Sequence, residues 1–585
     1  MIYFCKKEII HFIGIVLYKG KYGFGVTIVI PEKGELNLAR NKTKVNYKNY
    51  GNFPDMDTVK EIVLYGAEKG GTKRHLFYND FSGKVQEKKF NETFHDVLGI
   101  GQYFYDLGMK DKKIAILSEN SYYWAMMYYA CACSRVIAVP LDPKLTDADL
   151  TELMVRSGCS AIIYTKEFAS AVKMMQETEG VVLTEYVKFE DFDELVKKGH
   201  ESLDAGNKSF LSEEVKPDDV AFIVYTSGTT GKSKGVMLTH KNVASNAIAT
   251  CRAMTASHTI AFLPFHHTLS WASALIASPL LSEWGYICKS LKDIQKDMVD
   301  YHPQHFSAVP LAVETIYKKI WYTAKKTGRD EILKKGLKIS NLLMKFGIDV
   351  RRKLFKEVIE NLGGELEMII CGGAYLDMKY EKGLYDMGIQ VVNGYGITEC
   401  SPVVTCNRLD DFRFGSAGKA LDCNEIKIND PDEDGVGEVY VRGTNVMKGY
   451  YDDPEATAEA FDGEWFKTGD YGYIDKDGFL FFRGRKKNLI VLSNGKNVSP
   501  EELEDKLSGI EYVKEVVVYE EDGAITAEFW LDTVEQPDAK EQIKKDVREF
   551  NKSMPAFKQV TKIKTRDTEF PKTTTLKIKR KYKKK

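Results

Sequence analysis

No charge of one sign dominates this chain of 585 residues: 83 lysines and arginines stand against 84 aspartates and glutamates. Bulk electrostatics therefore offers no case for nucleic-acid binding, which needs a basic face. Long hydrophobic runs are missing too. No apolar stretch reaches the ~18 to 20 residues of a membrane-spanning helix. The nearest candidate, Ile9 to Tyr18, is short, interrupted by His11 and followed by no small-residue cleavage site, so neither a signal peptide nor an anchor is expected. The ten cysteines form no C-x-x-C pair and no His/Cys spacing suited to zinc, and a reduced, cytoplasmic setting is the expectation.

A kinase-type P-loop is also lacking. Gly231-Lys232-Ser233 invites that reading, but the pattern G-x-x-x-x-G-K-[ST] needs glycine at position 226, where Thr226 stands. What is present is the run Tyr225-Thr226-Ser227-Gly228-Thr229-Thr230-Gly231-Lys232-Ser233-Lys234-Gly235, directly after the apolar segment Val220 to Val224. Its composition grips phosphate: glycines let backbone N–H groups converge on an anion, hydroxyls add donors and lysine adds charge. A flexible Gly/Ser/Thr linker is seldom flanked by so apolar a strand.

The length calls for at least two domains with a large buried core. Residues 1–55 are basic, β-prone around Val26 to Ile30, and unassigned. From Phe94 to Asp147 helical patterns alternate with apolar strands such as Lys113 to Leu117 and Val136 to Leu141, the mark of βα units in a layered α/β sheet. Asn120 is expected to cap or turn before the helix carrying Trp124. Residues 314 to 361 read as long amphipathic helices ending at Gly363-Gly364, with the charges of "VRRKLFKEVIENLGG" on a solvated face. A boundary falls at Lys487. Beyond it, Ser499-Pro500-Glu501-Glu502 supplies an N-cap, a proline at N1 and a glutamate at N3. Strands near 515–519 and 526–531 and a helix over 539–550 complete a small α+β unit. The tail Lys577 to Lys585 holds seven basic residues in nine positions, a solvated run whose one expected partner is an anionic membrane surface, contacted weakly.

Several separated motifs suit the activation of a carboxylate, where an anionic nucleophile attacks the α-phosphorus of ATP and repelling charges must be neutralised. "NGYGITE", Asn393 to Glu399, offers an aromatic face, a glycine turn, a hydroxyl and a carboxylate. Asn-Gly by itself would equally mark a hairpin. Asp470 can accept two hydrogen bonds from ribose hydroxyls, and Arg485 has a planar fork suited to ribose and phosphate oxygens. "LPFHHTLSW" places His267 and Trp271 four residues apart, a spacing that would set both on one helical face. "CGGAYL" has a turn short of side chains at Gly372, Gly373 and Ala374.

Together these motifs resemble the adenylate-forming superfamily of acyl-CoA synthetases, luciferases and peptide-synthetase adenylation domains, whose phosphate loop usually reads TSGTTGxPKGV; Ser233 is the departure. The resemblance covers residues 56 to 585. It implies a large layered α/β N-terminal adenylation domain, 56–487, and a small mobile α+β lid, 488–585. It implies that Thr226, Ser227, Gly228, Thr229, Thr230, Gly231 and Lys234 hold phosphate. Asn393, Gly394, Tyr395 and Gly396 would face the nucleotide, with Tyr395 against adenine, while Thr398 would touch the α-phosphate and Glu399 would hold Mg²⁺. Asp470 and Arg485 would bind ribose, and Lys577 would be the catalytic lysine. His267, Trp271, Gly372, Gly373 and Ala374 would border the acyl pocket, and Lys487 would be the hinge. The ending "TTTLKIKR" and the helical insertion before the "GGA" turn resemble long-chain fatty acyl-CoA synthetases. The implied reaction forms acyl-AMP and pyrophosphate from ATP and a fatty acid, then acyl-CoA and AMP from CoA. Alternatives are a ligase that loads a carrier protein with an acyl or aryl acid, and a non-catalytic adenylate-binding protein.

Overall fold

The computed structural model describes residues 15–20, 23–28, 53–226, 233–254, 257–288, 292–492, 497–572, 578 and 580. The chain divides into two compact units, Met1–Asn49 and Tyr50–Lys585. In the first, Ile15–Gly20 and Gly23–Ile28 form an antiparallel hairpin with Ile15 opposite Ile28.

The second unit is built on two large mixed sheets. In spatial order the seven-stranded sheet runs Gly449–Tyr450, Lys234–Thr239, Val220–Thr226, Ile137–Pro140, Lys113–Leu117, Ala161–Tyr164 and Glu185–Lys188. The nine-stranded sheet carries Gln390–Gly396, Met368–Cys371, His305–Ala308 and Thr259–Ala261 as neighbours near its middle. Tyr122–Ala132 lies against strands of both sheets and is buried along its whole length. Its sequence, YYWAMMYYACA, has no polar face, as a helix enclosed between two layers requires. Ser121, rather than Asn120, caps this helix by accepting from the Trp124 N–H at 3.1 Å. Asn120 instead fastens the turn to another segment: its amide donates to the Leu263 carbonyl at 2.8 Å and accepts from the Phe265 N–H at 2.7 Å. A side chain with both a donor and an acceptor can bracket a peptide in this way, which local capping rules do not anticipate.

A five-stranded antiparallel sheet follows, in which Trp465–Ile474 pairs with both Gly437–Gly443 and Leu480–Arg485. Beyond it lies a separate small core of Leu503, Leu507, Val518, Phe529, Ile543 and Val547. It gathers the helices Pro500–Ser508 and Ala539–Lys552 onto the three-stranded sheet Val513–Glu521, Ala524–Leu531 and Lys562–Arg566. Ser499 caps the first of these helices through the Glu502 N–H at 3.3 Å, as its sequence predicts.

The helical insertion comprises Pro310–Lys326, Asp330–Lys345, Arg351–Leu354 and Lys356–Glu360. Two of its arginines are not on a solvated face. Arg351 donates to the Tyr385 carbonyl at 2.9 Å, and Arg352 to the Leu366 carbonyl at 2.6 Å. Arg351 adds a second donor to the Tyr385 carbonyl, which also accepts from the Gly388 N–H at 2.9 Å, and Arg352 serves a carbonyl at the approach to the strand Met368–Cys371 that lies outside helix and sheet pairing.

Candidate active site

Register brings the site together. Cys371, the last residue of its strand and not part of the turn, pairs in parallel with Asn393, so the "GGA" turn leaves the sheet beside the strand that carries "NGYG". A Cβ added at Gly372 would stand 3.5 Å from Leu269 and 3.6 Å from the Gly394 carbonyl oxygen, so the segment after "LPFHH" closes on the same spot. Gly373 sits at φ +86°, where a side chain would be strained, and with Ala374 it is exposed. Asn393 and Gly394 do not form a hairpin turn, because the strand Gln390–Gly396 runs through both.

Asp470 is the centre of one polar set. Gly469, at φ +69°, and a shift of register between Glu438 and Tyr440 on the neighbouring strand kink Trp465–Ile474 just before it. The buried carboxylate then accepts from the Tyr395 hydroxyl at 2.7 Å and pairs with Arg485 Nε at 2.9 Å. Asp470 and Arg485 are also direct register partners. The Phe482 ring packs on Tyr395 with centroids 4.3 Å apart. Burial, then the Asp470 charge, push the Tyr395 hydroxyl well above its ordinary pKa, so it is a neutral donor, while Asp470 raises that of the Arg485 guanidinium. Two sequence candidates for one ribose thus meet each other.

Glu399 anchors the second set. It lies in the single 3₁₀ turn Thr398–Cys400 that follows the "NGYG" strand. Its Oε1 accepts from the Tyr450 hydroxyl at 3.0 Å, and the Lys234 ammonium stands 4.7 Å from the centre of the Tyr450 ring. Tyr450 is held there because Gly449–Tyr450 pairs with Lys234–Thr239, the strand leaving the phosphate loop, and because the Tyr450 N–H donates to Thr457 Oγ1 at 2.9 Å. Burial raises the pKa of Glu399, with Tyr450 and Arg485 opposing the shift. Glu399 follows Tyr395 by four residues, in the turn that directly continues its strand, so the two sets form one site.

Thr226 and Lys234 are opposite each other on paired strands, which puts the ends of the phosphate loop at this site. Ser227, Gly228, Thr229, Thr230 and Gly231 lie outside the described residues, as do Lys577 and most of the basic tail. His267 and Trp271 do not share a helical face. His267 is the extended residue before the short helix Thr268–Trp271, and Trp271 is fully buried against Tyr128 and Phe222, with centroids 5.2 and 5.1 Å away. Lys487 is exposed in the 3₁₀ turn Lys486–Asn488 that leaves the Arg485 strand. Tyr450 and Phe482 are the site residues that sequence reasoning missed. The available signal for Tyr450 was the aromatic pair in the run "GYYDDPEAT", Gly449 to Thr457.

A family model of the AMP-binding enzyme matches residues 66–451, and one of the AMP-binding enzyme C-terminal domain matches residues 487–585. The chain belongs to the AMP-binding enzyme family. Among AMP-binding relatives, fatty acyl-CoA synthetase B of Dictyostelium discoideum is 29% identical over 549 residues, covering 86% of this chain and 81% of its own. A long-chain-fatty-acid–CoA ligase of Mycobacterium bovis is 29% identical over 432 residues, 69% of this chain and 70% of its own. A chloroplastic long-chain-fatty-acid–[acyl-carrier-protein] ligase of Arabidopsis thaliana is 28% identical over 551 residues, 79% and 75% respectively. Among solved structures, an anthranilate CoA ligase in complex with anthranoyl-AMP superposes with a TM-score of 0.73 at 19% identity, over 90% of this chain and 97% of that one. That likeness shows the shared fold, a large N-terminal and a smaller C-terminal part.

Proposed function

We propose that this AMP-binding enzyme activates a carboxylic acid with ATP to acyl-AMP and pyrophosphate, then transfers the acyl group to CoA. The observation that carries the reading is the joined set of Tyr395, Asp470, Arg485, Glu399, Tyr450 and Lys234 beside the phosphate-loop strands. Asp470, held by two donors, accepts from the ribose hydroxyls, and Arg485 turns its remaining N–H groups toward sugar or phosphate oxygens. Lys234 and the loop 226–231 neutralise phosphate charge, and Thr398 donates to the α-phosphate. Glu399 would hold Mg²⁺, since a carboxylate offers the hard oxygen that this ion takes. Mg²⁺, when bound there, supplies charge neutralisation on the phosphates. Lys577 brings a cation to the carboxylate and α-phosphate from the small domain, which we place at 488–585 and hinge at Lys487.

The acid we assign is a long-chain fatty acid. The name of the mycobacterial relative and the helical insertion support this, the name of the Dictyostelium relative supports a fatty acid, and Gly373 and Ala374 stand exposed at the turn that would border the acyl chain. The Arabidopsis relative favours one second reading, in which an acyl carrier protein replaces CoA as the acceptor. Pyrophosphate release measured over straight-chain acids from acetate to eicosanoate tests the first half. The largest kcat/KM is expected with the long acids, and absence of acid-dependent pyrophosphate release would return the chain to a silent adenylate binder. Thioester analysis with CoA against a phosphopantetheinylated carrier decides the acceptor.

A further inference from the structure

The helix Asp330–Lys345 is apolar on two opposite sides. Leu333 and Leu337 pack inward with Trp321, Phe355 and Met387, which accounts for its place in the fold. No packing contact among the described residues accounts for the other side. Ile332, Ile339, Leu342 and, one residue beyond the helix, Phe346 are 69%, 54%, 54% and 73% exposed. Their spacings of seven, three and four residues set them in one stripe, about 21 Å long at 1.5 Å per residue. A solvated helix face is expected to be polar at those positions, and a contiguous apolar stripe marks a contact surface.

Lysines run through and beside the stripe. Lys335 falls within it and Lys334, Lys338 and Lys345 along one edge. Among the described residues, ion pairs hold Lys334 to Asp330 and Glu331 and none holds Lys335, Lys338 or Lys345. From 310 to 360 there are thirteen basic residues and six acidic ones, in a chain whose formal charge is −1. Protein–protein interfaces deplete lysine, most of all at their centres. At a bilayer surface, by contrast, a lysine inside an apolar stripe buries its stem and lifts its ammonium to the headgroups.

We propose that this face of Asp330–Lys345, with Phe346, docks on the surface of an anionic lipid bilayer, the apolar side chains entering the acyl boundary and the lysines meeting lipid phosphates. The inference stands on exposure and charge alone and does not need the catalytic reading. If that reading holds, the docked helix belongs to the insertion that begins two residues after the strand His305–Ala308, whose Ala308 carbonyl accepts from the Gly372 N–H at 3.2 Å. A surface that binds bilayers would then sit one helix away from the "GGA" turn of an enzyme whose substrate partitions into them.

Flotation of the full chain with vesicles of phosphatidylcholine, alone or mixed with phosphatidylglycerol, tests the proposal. The wild type should float with the mixed vesicles and lose binding as salt rises. Lys335→Glu/Lys338→Glu/Lys345→Glu should lower partitioning onto mixed vesicles by about a hundredfold, and Ile339→Glu/Phe346→Glu by at least about tenfold on the same vesicles. Both should leave the melting temperature unchanged, because the positions are exposed. Phe346→Trp, which keeps the surface apolar, should gain fluorescence quenching by brominated lipid over the wild type. Absent wild-type binding overturns the proposal. So does binding that survives both multiple variants, which would assign it to the basic tail or another surface. A concentration-dependent dimer that Ile339→Glu/Phe346→Glu dissolves, with vesicles ignored, would give the face to a second copy instead.

Discussion

Tyr450 connects two groups that sequence reading treated separately. Its hydroxyl holds Glu399 and its ring sits under Lys234, so one side chain sets the spacing between a carboxylate and the cation we assign to phosphate. Tyr450→Phe keeps the ring and removes the hydroxyl. It should lower kcat several-fold and weaken the gain in ATP affinity that Mg²⁺ brings, measured by calorimetry with and without the metal, while metal-free ATP binding is unchanged. A fall in both affinities alike would assign Tyr450 to the scaffold. Asp470→Ala should act differently, because its contacts to ribose would exist in ground and transition state alike. ATP binding should weaken by about tenfold or more, the cost of one lost charge-assisted contact with Arg485 left unpaired. Lys577→Ala should abolish acyl-AMP formation, by about 10²- to 10³-fold for one preorganised donor, and spare thioester formation from supplied acyl-AMP. Equal damage to both half-reactions would reject its role.

At the scale of elements, the turn Lys486–Asn488 carries the hinge we propose, and the helix Pro500–Ser508 follows it. Proline fixes φ near −65° and restricts its predecessor, so Lys487→Pro should permit acyl-AMP formation but block its discharge by CoA. Single-turnover assays check this, and normal discharge would place the hinge elsewhere. Asp505, on that helix, is pushed up to about 7 by burial, reinforced by Asp377 and opposed by Lys379 across the junction. A carboxyl whose folded pKa exceeds its unfolded value binds its proton more tightly in the fold. Its contribution is complete below the ordinary aspartate range and is lost as pH rises through about 7. Asp505→Asn, which cannot ionise, should therefore melt higher than the wild type at about pH 8, by a margin that shrinks toward pH 5. A constant difference across that range would mean that the carboxyl titrates normally.

The whole molecule carries an acid liability in its cores. His75, His266 and His305 are buried and held near pKa 3, and His240 near 4, all by burial, against an ordinary 6.5. Because each folded value is depressed, the unfolded chain takes up more protons as pH falls. The stability present above about 6.5 is then withdrawn, by up to ~2 kcal/mol per histidine at pH 5. Denaturant midpoints should drop steeply between pH 7 and 5, and His305→Gln should flatten part of that slope. An unchanged midpoint over the range would show that these rings stay hydrated in the fold.

Sequence by itself determined what chain-local chemistry can: the apolar strand before the phosphate loop, the Ser499 cap, the layered α/β class and the motifs of the family. Strand periodicity and capping are set by neighbours within a few residues, so they are legible without a fold. Tertiary structure alone decided which residues touch. Asp470 meets Tyr395 across 75 residues and Glu399 meets Tyr450 across 51 because strand register and a glycine kink, which no local pattern encodes, aim them at each other. The same holds for Asn120, which spans 143 residues to Leu263, and for Trp271, whose four-residue spacing from His267 lost its meaning once the helix began only after the histidine. It also decided that one stripe of Asp330–Lys345 is left uncovered. A sequence shows which residues are apolar, while only packing shows which of them find no partner.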